Sequence, residues 1–263
     1  MSIEYAIIAA GGRAKRFLPY SLVMPKELLP LNGIPAIQYS INECIAAGIR
    51  KIIIITRPHN NLIFQHLSCH KYYRNLIVDF FSSKSKTQIL ILPEDQDLPY
   101  GNAAPLLTAR HIVGSKRFAV LFADDIILGS NPIIELSNFS NSHISGSTIV
   151  GYQPVPLSEV QNYGNIEINE YDEIVKLRQK PERDIVSDKV IVSRLLLDGS
   201  IWRFIDKKSN NELDLGEAIA SQIQQEHHKV FGCYLTGLWV CIDTPEKYLT
   251  ALNKQQNFLN TKR

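Results

Sequence analysis

Several absences narrow the function of this 263-residue chain before any motif is read. No unbroken run of Ile, Leu and Val exceeds that of Ile52 to Ile55, far short of the ~20 residues that cross a bilayer, so no membrane partner is expected. The opening Met1-Ser2-Ile3-Glu4 has no basic segment, and no small-residue cleavage site follows, so no signal peptide is expected. Cysteine is scarce: Cys44, Cys69, Cys233 and Cys241 form neither a CxxC pair nor a zinc spacing. A soluble, reducing, cytoplasmic setting is predicted. Excess charge of one sign is also missing, with 28 Lys plus Arg against 26 Asp plus Glu and a net charge of +2. That balance argues against a nucleic-acid partner. Repeats, low-complexity tracts and Gly/Ser linkers are absent. What remains is a chain 45% hydrophobic and 21% charged, long enough to bury a substantial core.

Apolar runs alternate with segments of helical period through the first half. Strands are predicted at 4–10, 51–56, 88–92 and 118–123, and helices at 35–47, 61–67 and 103–113. This βα alternation predicts a mostly parallel sheet covered by helices on both faces. In such sheets ligands bind where the carboxyl ends of the strands gather. After about residue 145 strands dominate, at 148–152, 164–168, 173–178 and 189–196, with helices at 214–225 and 245–258. These strands predict a smaller mixed or antiparallel sheet. The expected division is 1–144 and 145–263, within one compact chain.

Behind the first strand lies Ala10-Gly11-Gly12-Arg13-Ala14-Lys15-Arg16-Phe17-Leu18-Pro19, then Met24-Pro25-Lys26-Glu27-Leu28-Leu29-Pro30. Adjacent glycines at a strand end let main-chain N–H groups approach an anion closely. Residues 1–57 hold seven basic residues (Arg13, Lys15, Arg16, Lys26, Arg50, Lys51, Arg57) and three acids (Glu4, Glu27, Glu43), a local 7 − 3 = +4. A polyphosphate calls for this kind of positive charge. No G-x-x-x-x-G-K-[ST] and no G-x-G-x-x-G is present, so neither a P-loop nor the dinucleotide fingerprint applies, and a dehydrogenase reading recedes. Asp124 and Asp125 end the fourth predicted strand, where paired carboxylates suit Mg²⁺, a hard cation bound through oxygen. The same pair could instead cap a turn.

The glycine-and-base loop resembles the nucleotidyltransferases that join a sugar 1-phosphate to a nucleoside triphosphate, in particular their bacterial UTP–glucose-1-phosphate uridylyltransferase branch. The family signature, Gly-x-Gly-Thr-Arg-x-x-Pro followed by Pro-Lys-Glu-x-Leu-Pro, is matched by Gly12, Arg16, Pro19, Pro25, Lys26, Glu27, Leu29 and Pro30. The resemblance implies a Rossmann-like α/β fold with a nucleotide-binding lobe and a smaller mixed-sheet sugar-binding lobe. It implies UTP and glucose 1-phosphate as favoured substrates, magnesium as cofactor, and homo-oligomers as possible assemblies. Ala10, Gly11, Gly12 and Glu27 would border the nucleotide. Arg16 would grip the departing β,γ-phosphates and Lys26 the charge near the α-phosphate. Asp124 would be a metal ligand, supported by Asp125. Glu94 falls where the family has a uracil-reading Gln, and Gly101 where its loop meets base and ribose. Gly164 follows Tyr163 in the pair that lies against the sugar. Gln179 and Lys180 match the acid and lysine that bind sugar hydroxyls and sugar phosphate. Asp214 and Glu217 belong to a helix-opening segment, 211–219, on the sugar side.

The chain departs from the pattern at three positions. Ala14 replaces the second signature glycine, which is tolerable if its φ stays negative, and Lys15 replaces the threonine. Register through Tyr248 sets Cys241 where the family has its second metal-binding Asp. A thiol is a poor Mg²⁺ ligand, and Asp243, two residues on, is the expected substitute. These changes leave open an active enzyme, one with another base or sugar, and a regulatory relative that binds a nucleotide sugar without turnover.

Overall fold

Six consecutive buried residues, Tyr5 to Ala10, make up the first strand. A strand buried along its whole length needs cover on both faces, the situation of a central parallel strand. The computed structural model describes residues 3–77, 87–143, 146–205, 212–225 and 227–261, and elements are numbered along the chain. Two units are formed by discontinuous stretches: Glu4–Asp95 with Leu121–Asn131 and Gly237–Arg263, and Gln96–Val120 with Pro132–Thr236. The chain passes from one to the other within strand β6 (Phe118–Phe122). The boundary expected at 144/145 lies outside the described residues.

In the first unit, β1 (Tyr5–Ala10), β4 (Lys51–Thr56) and β5 (Gln88–Pro93) pair in parallel, with Ala10 opposite Thr56 and Thr56 opposite Pro93. Helix α1 (Ala36–Ala46) buries Ile37, Ile41 and Cys44 at helical spacing and stops before Gly48, whose φ of 76° is a left-handed end. A hairpin of β2 (Pro30–Leu31) and β3 (Ile34–Pro35) precedes it. Asn32 and Gly33, at φ 49° and 75°, make its turn, as two positive-φ residues between short strands require. Helices α2 (Leu62–Cys69) and α3 (Lys71–Ile77) follow β4. Strands β7 (Asp125–Leu128) and β13 (Leu238–Cys241) pair antiparallel, Asp125 opposite Cys241. Helix α8 (Pro245–Thr261) packs with them, joining Ile126, Val240, Ile242 and Ala251 in one apolar cluster with Leu31 and Ala36.

The second unit holds helix α4 (Ala104–Val113), helix α5 (Pro132–Asn141) and a mixed sheet. Strand β8 (Thr148–Pro154) lies antiparallel to β11 (Lys189–Leu197) and parallel to β12 (Val230–Tyr234). Strands β9 (Gly164–Ile168) and β10 (Ile174–Gln179) form an antiparallel pair joined to β11. Helices α6 (Trp202–Ile205) and α7 (Leu215–Ile223) complete the unit. Trp202 stacks on Phe118 at 5.0 Å and donates its indole N–H to the Gly114 carbonyl at 2.8 Å, so a large ring is buried with its polar atom satisfied.

Together these elements make an α/β fold with a mixed, mainly parallel central sheet, as the alternating apolar runs predict. Among the described residues no helix is long and apolar enough to cross a membrane.

Candidate active site

Parallel register brings the carboxyl ends of β1, β4 and β5 level, so Gly11, Arg57 and Glu94 leave the sheet side by side. The Glu94 N–H donates to the Thr56 carbonyl at 2.8 Å. The Arg57 guanidinium donates to the Gly12 carbonyl at 2.6 Å. A Cβ on Gly11 would lie 3.1 Å from the Glu94 carboxylate and 3.2 Å from the Thr56 carbonyl carbon. Gly11 is therefore a close-approach glycine whose space is taken by its own scaffold. Gly12 is exposed beside the Lys26 chain, which a Cβ there would meet at 3.9 Å. Burial pushes the half-buried Glu94 carboxyl above its ordinary value, and Arg13 partly offsets this.

Ala14 does not meet the condition of a negative φ. It adopts φ 45° and ψ 39°, left-handed, and its carbonyl accepts from the Phe17 N–H at 2.9 Å. The buried Phe17 side chain anchors the following turn, 15–17, so closing the loop imposes this conformation whichever residue occupies it. An L-residue there carries a steric cost of about 1–2 kcal/mol that glycine does not.

Lys26 begins a short turn, 26–28, and its ammonium pairs with the Asp124 carboxylate. Burial alone would lower the lysine, but Asp124 and then Glu27 hold it well above its ordinary value. Burial alone would likewise raise Asp124, yet Lys26 and then Arg16 keep it below the usual carboxylate range. Main-chain pairing fixes the neighbourhood. The Ile242 N–H donates to the Asp124 carbonyl at 2.8 Å, and the Ala123 N–H to that of Ala9 at 3.1 Å. Arg16 makes an ion pair with Asp243 at 3.1 Å, and Lys247 reaches the other oxygen of Asp243 at 3.1 Å. Asp125 is buried on β7, and its carboxylate accepts from the Trp239 indole at 3.1 Å. Glu27 is buried too. Desolvation pushes its carboxyl up to about 7, against the pull of Lys26.

Asp124 supplies the hard oxygen donor that a magnesium ion takes. Among the described residues no group of three or more His, Cys, Asp or Glu is placed to hold a metal. This donor set fits a cation whose shell is completed by substrate phosphates, the usual manner for Mg²⁺. Cys241 is unsuited to it. Burial, then Asp125, Asp124 and Asp243, push its thiol well above the ordinary value, so it stays protonated.

The other candidates occupy the second unit. Gly101, at φ 154°, leaves room for the main chain of Leu213, which a Cβ would meet at 2.1 Å. The Leu213 N–H donates to Tyr100 at 2.8 Å, and its carbonyl accepts from Ala103 at 3.0 Å. Gly164 and Gln179 are cross-strand partners. The Gln179 amide donates to both oxygens of Asp214 at 3.0 and 3.2 Å and fills the space beside Gly216. Asp214 also caps α7, accepting from the Glu217 N–H at 3.0 Å. Lys180 is exposed at φ 45°, its N–H donating to Tyr163 at 3.0 Å. Asn211 lies outside the described residues.

Four contacts escape a reading of the sequence alone. Arg57 and Lys247 are cations that no motif marks, Trp239 carries no chemical signature, and Asn102 accepts from the Leu215 N–H at 2.6 Å across 113 positions. Only the alignment of strand ends by register, which sets Arg57 after β4, offers a signal.

Two outcomes are expected. Ala14→Gly should raise unfolding free energy by about 0.5–1 kcal/mol in denaturant titration, since it removes left-handed strain; a loss would contradict the strained loop. With metal chelated, Glu27 binds a proton in the folded chain that the unfolded chain has already released. Stability should therefore fall as pH rises from about 4.5 to about 7. Glu27→Gln should flatten that fall, measured by denaturant midpoints across the window.

The chain is similar to known proteins over most of its length. A family model described as nucleotidyl transferase matches residues 5–257. The chain is 31% identical to UTP–glucose-1-phosphate uridylyltransferase 1 of Staphylococcus saprophyticus, over 83% of this chain and 81% of that protein. It is 29% identical to the UTP–glucose-1-phosphate uridylyltransferase of Haemophilus ducreyi, over 88% and 85%. A UDP-glucose pyrophosphorylase solved with UDP-glucose shares the fold at TM-score 0.83 and 24% identity, covering 99% of this chain and 100% of that one. A family model that spans nearly the whole chain, together with a relative 31% identical over most of both chains, shows the lineage: the chain belongs to the nucleotidyl transferase family.

Proposed function

We propose that the chain catalyses attack of a sugar 1-phosphate oxygen on the α-phosphorus of a nucleoside triphosphate, releasing pyrophosphate and a nucleotide sugar. UTP and glucose 1-phosphate are the favoured pair, supported by what the uridylyltransferase relatives are named for. The observation that carries the reading is the part-buried Lys26–Asp124 pair beneath the exposed Gly12 loop, with Arg16 alongside.

In this reading the main chain at Ala10, Gly11 and Gly12 borders the nucleotide, with the buried Glu27 behind it. Lys26 neutralises charge at the α-phosphate, and Arg16 takes up charge on the departing pyrophosphate. No covalent intermediate is needed, because positioning and charge neutralisation supply most of the acceleration. Asp124 would hold magnesium, which would supply positive charge to offset that of the phosphates. Lys180 meets the sugar phosphate, with Gly164 and Gln179 beside the sugar. Gln179 replaces a carboxylate without loss of order because Asp214 accepts its amide; a glutamate there would face a second acid.

Glu94 favours a second reading of the base. An ionised carboxylate accepts only, which suits the N1–H and N2–H donors of guanine. A protonated one offers the donor and acceptor that uracil requires.

The test is pyrophosphate release across a matrix of nucleoside triphosphates and sugar 1-phosphates with Mg²⁺. UTP with glucose 1-phosphate should turn over fastest, and Lys26→Ala should lower kcat about 10²–10³-fold. Preference for GTP would assign the base to Glu94. UDP-sugar binding without release from any pair would support the regulatory reading instead.

A further inference from the structure

In this chain the expected substitute metal ligand lies between two cations. Asp243 lies between the end of β13 and the start of α8, with its side chain only 15% exposed. One of its oxygens pairs with Arg16 at 3.1 Å and the other with Lys247 at 3.1 Å. Its backbone is held on both sides. The preceding Ile242 N–H donates to Asp124, and the following Thr244 caps α8, accepting the Lys247 N–H at its hydroxyl at 3.2 Å. One oxygen is thus held on Arg16, while the other lies buried within ion-pair distance of Lys247 but accepts no hydrogen bond among the described residues, and a divalent ion arriving there would face Arg16 and Lys247 at close range.

Arg16 has the opposite character. Its side chain is 65% exposed on a short turn anchored by Phe17, and a long exposed side chain samples many rotamers unless something holds it. Among the described residues its ion pair is with Asp243. That contact engages one terminal nitrogen, and a guanidinium carries five N–H donors in a planar fork. The remaining donors can serve phosphate oxygens while the anchor stays in place.

We propose that Asp243, braced by Lys247, is a positioning residue that holds the Arg16 guanidinium beside Asp124 for phosphate binding, and that it is not a ligand of the divalent cation. Asp124 is then the carboxylate that holds the metal, and the loss of an acid at Cys241 is met by rearranging cations, with no second metal-binding acid restored. The proposal rests on the reading of Arg16 as a phosphate-binding group given above.

The test is a double-mutant cycle of Arg16→Ala and Asp243→Asn, followed by calorimetric binding of inorganic pyrophosphate to the four proteins in chelator. Mn²⁺ affinity is measured separately by electron paramagnetic resonance with pyrophosphate present. Asp243→Asn should weaken pyrophosphate binding about fivefold more when Arg16 is present than in the Arg16→Ala background, because the anchor acts through the guanidinium. Its Mn²⁺ affinity should stay within about twofold of wild type, whereas Asp124→Asn loses about tenfold or more. Lys247→Met, which strips one cation from Asp243, should leave Mn²⁺ affinity unchanged.

Equal effects of Asp243→Asn in both backgrounds would overturn the positioning role. A loss of Mn²⁺ affinity like that of Asp124→Asn, or a clear tightening in Lys247→Met, would make Asp243 a metal ligand and overturn the proposal. Absence of turnover with every substrate pair overturns the proposed reaction and leaves the role of Asp243 intact, since the cycle reads binding alone. Failure of the wild type to bind pyrophosphate overturns both.

Discussion

The ion pair between Lys26 and Asp124 is the constraint around which the first unit is arranged. A lysine and an aspartate removed from most of the solvent are each costly unless paired. Here the pairing outweighs burial in both directions, keeping the ammonium protonated and the carboxylate ionised. Breaking the pair without a replacement would strand a charge. A phosphate arriving for Lys26 and a cation arriving for Asp124 would each provide one. In the proposed reaction the site would be charged in advance for two ligands of opposite sign.

The frame around the pair comes from register. Gly11 follows β1 because Thr56 and Glu94 already fill the adjoining space. The antiparallel pairing of β7 with β13 brings Cys241 opposite Asp125, and the Ile242 N–H to the Asp124 carbonyl. The family signature is local in sequence, but the cations that complete it, Arg57 and Lys247, come from distant positions. Ala14 shows how firmly the loop is closed, since its backbone takes a left-handed geometry without the residue best suited to it.

Apolar runs made the strands at 51–56 and 164–168 legible to the residue, because strands of unbroken burial or clean alternation write their period into the chain. Helix α1 was legible for the same reason. The hairpin at 30–35 and the strands β7, β12 and β13 were not: strands of two to four residues carry too few positions for a period, and the five of β12, Val-Phe-Gly-Cys-Tyr, show no alternation. Asn32-Gly33 was the turn signal that could have revealed the hairpin. Within the site, Lys26 and Asp124 were legible as residue types through the resemblance, but their mutual pairing was not. Neither was Asp125 as the acceptor of Trp239, nor Gln179 as the donor to Asp214, because side-chain partners separated by 35 to 114 positions leave no local trace.

The most direct measurement of the central claim is a crystal structure grown with a nonhydrolysable nucleoside triphosphate and Mn²⁺, read by anomalous scattering. The expected result is a manganese peak at about 2.1–2.2 Å from an Asp124 oxygen, with the Lys26 ammonium moved onto a phosphate oxygen. A triphosphate bound while Lys26 and Asp124 remain joined and the manganese lies away from both would contradict it.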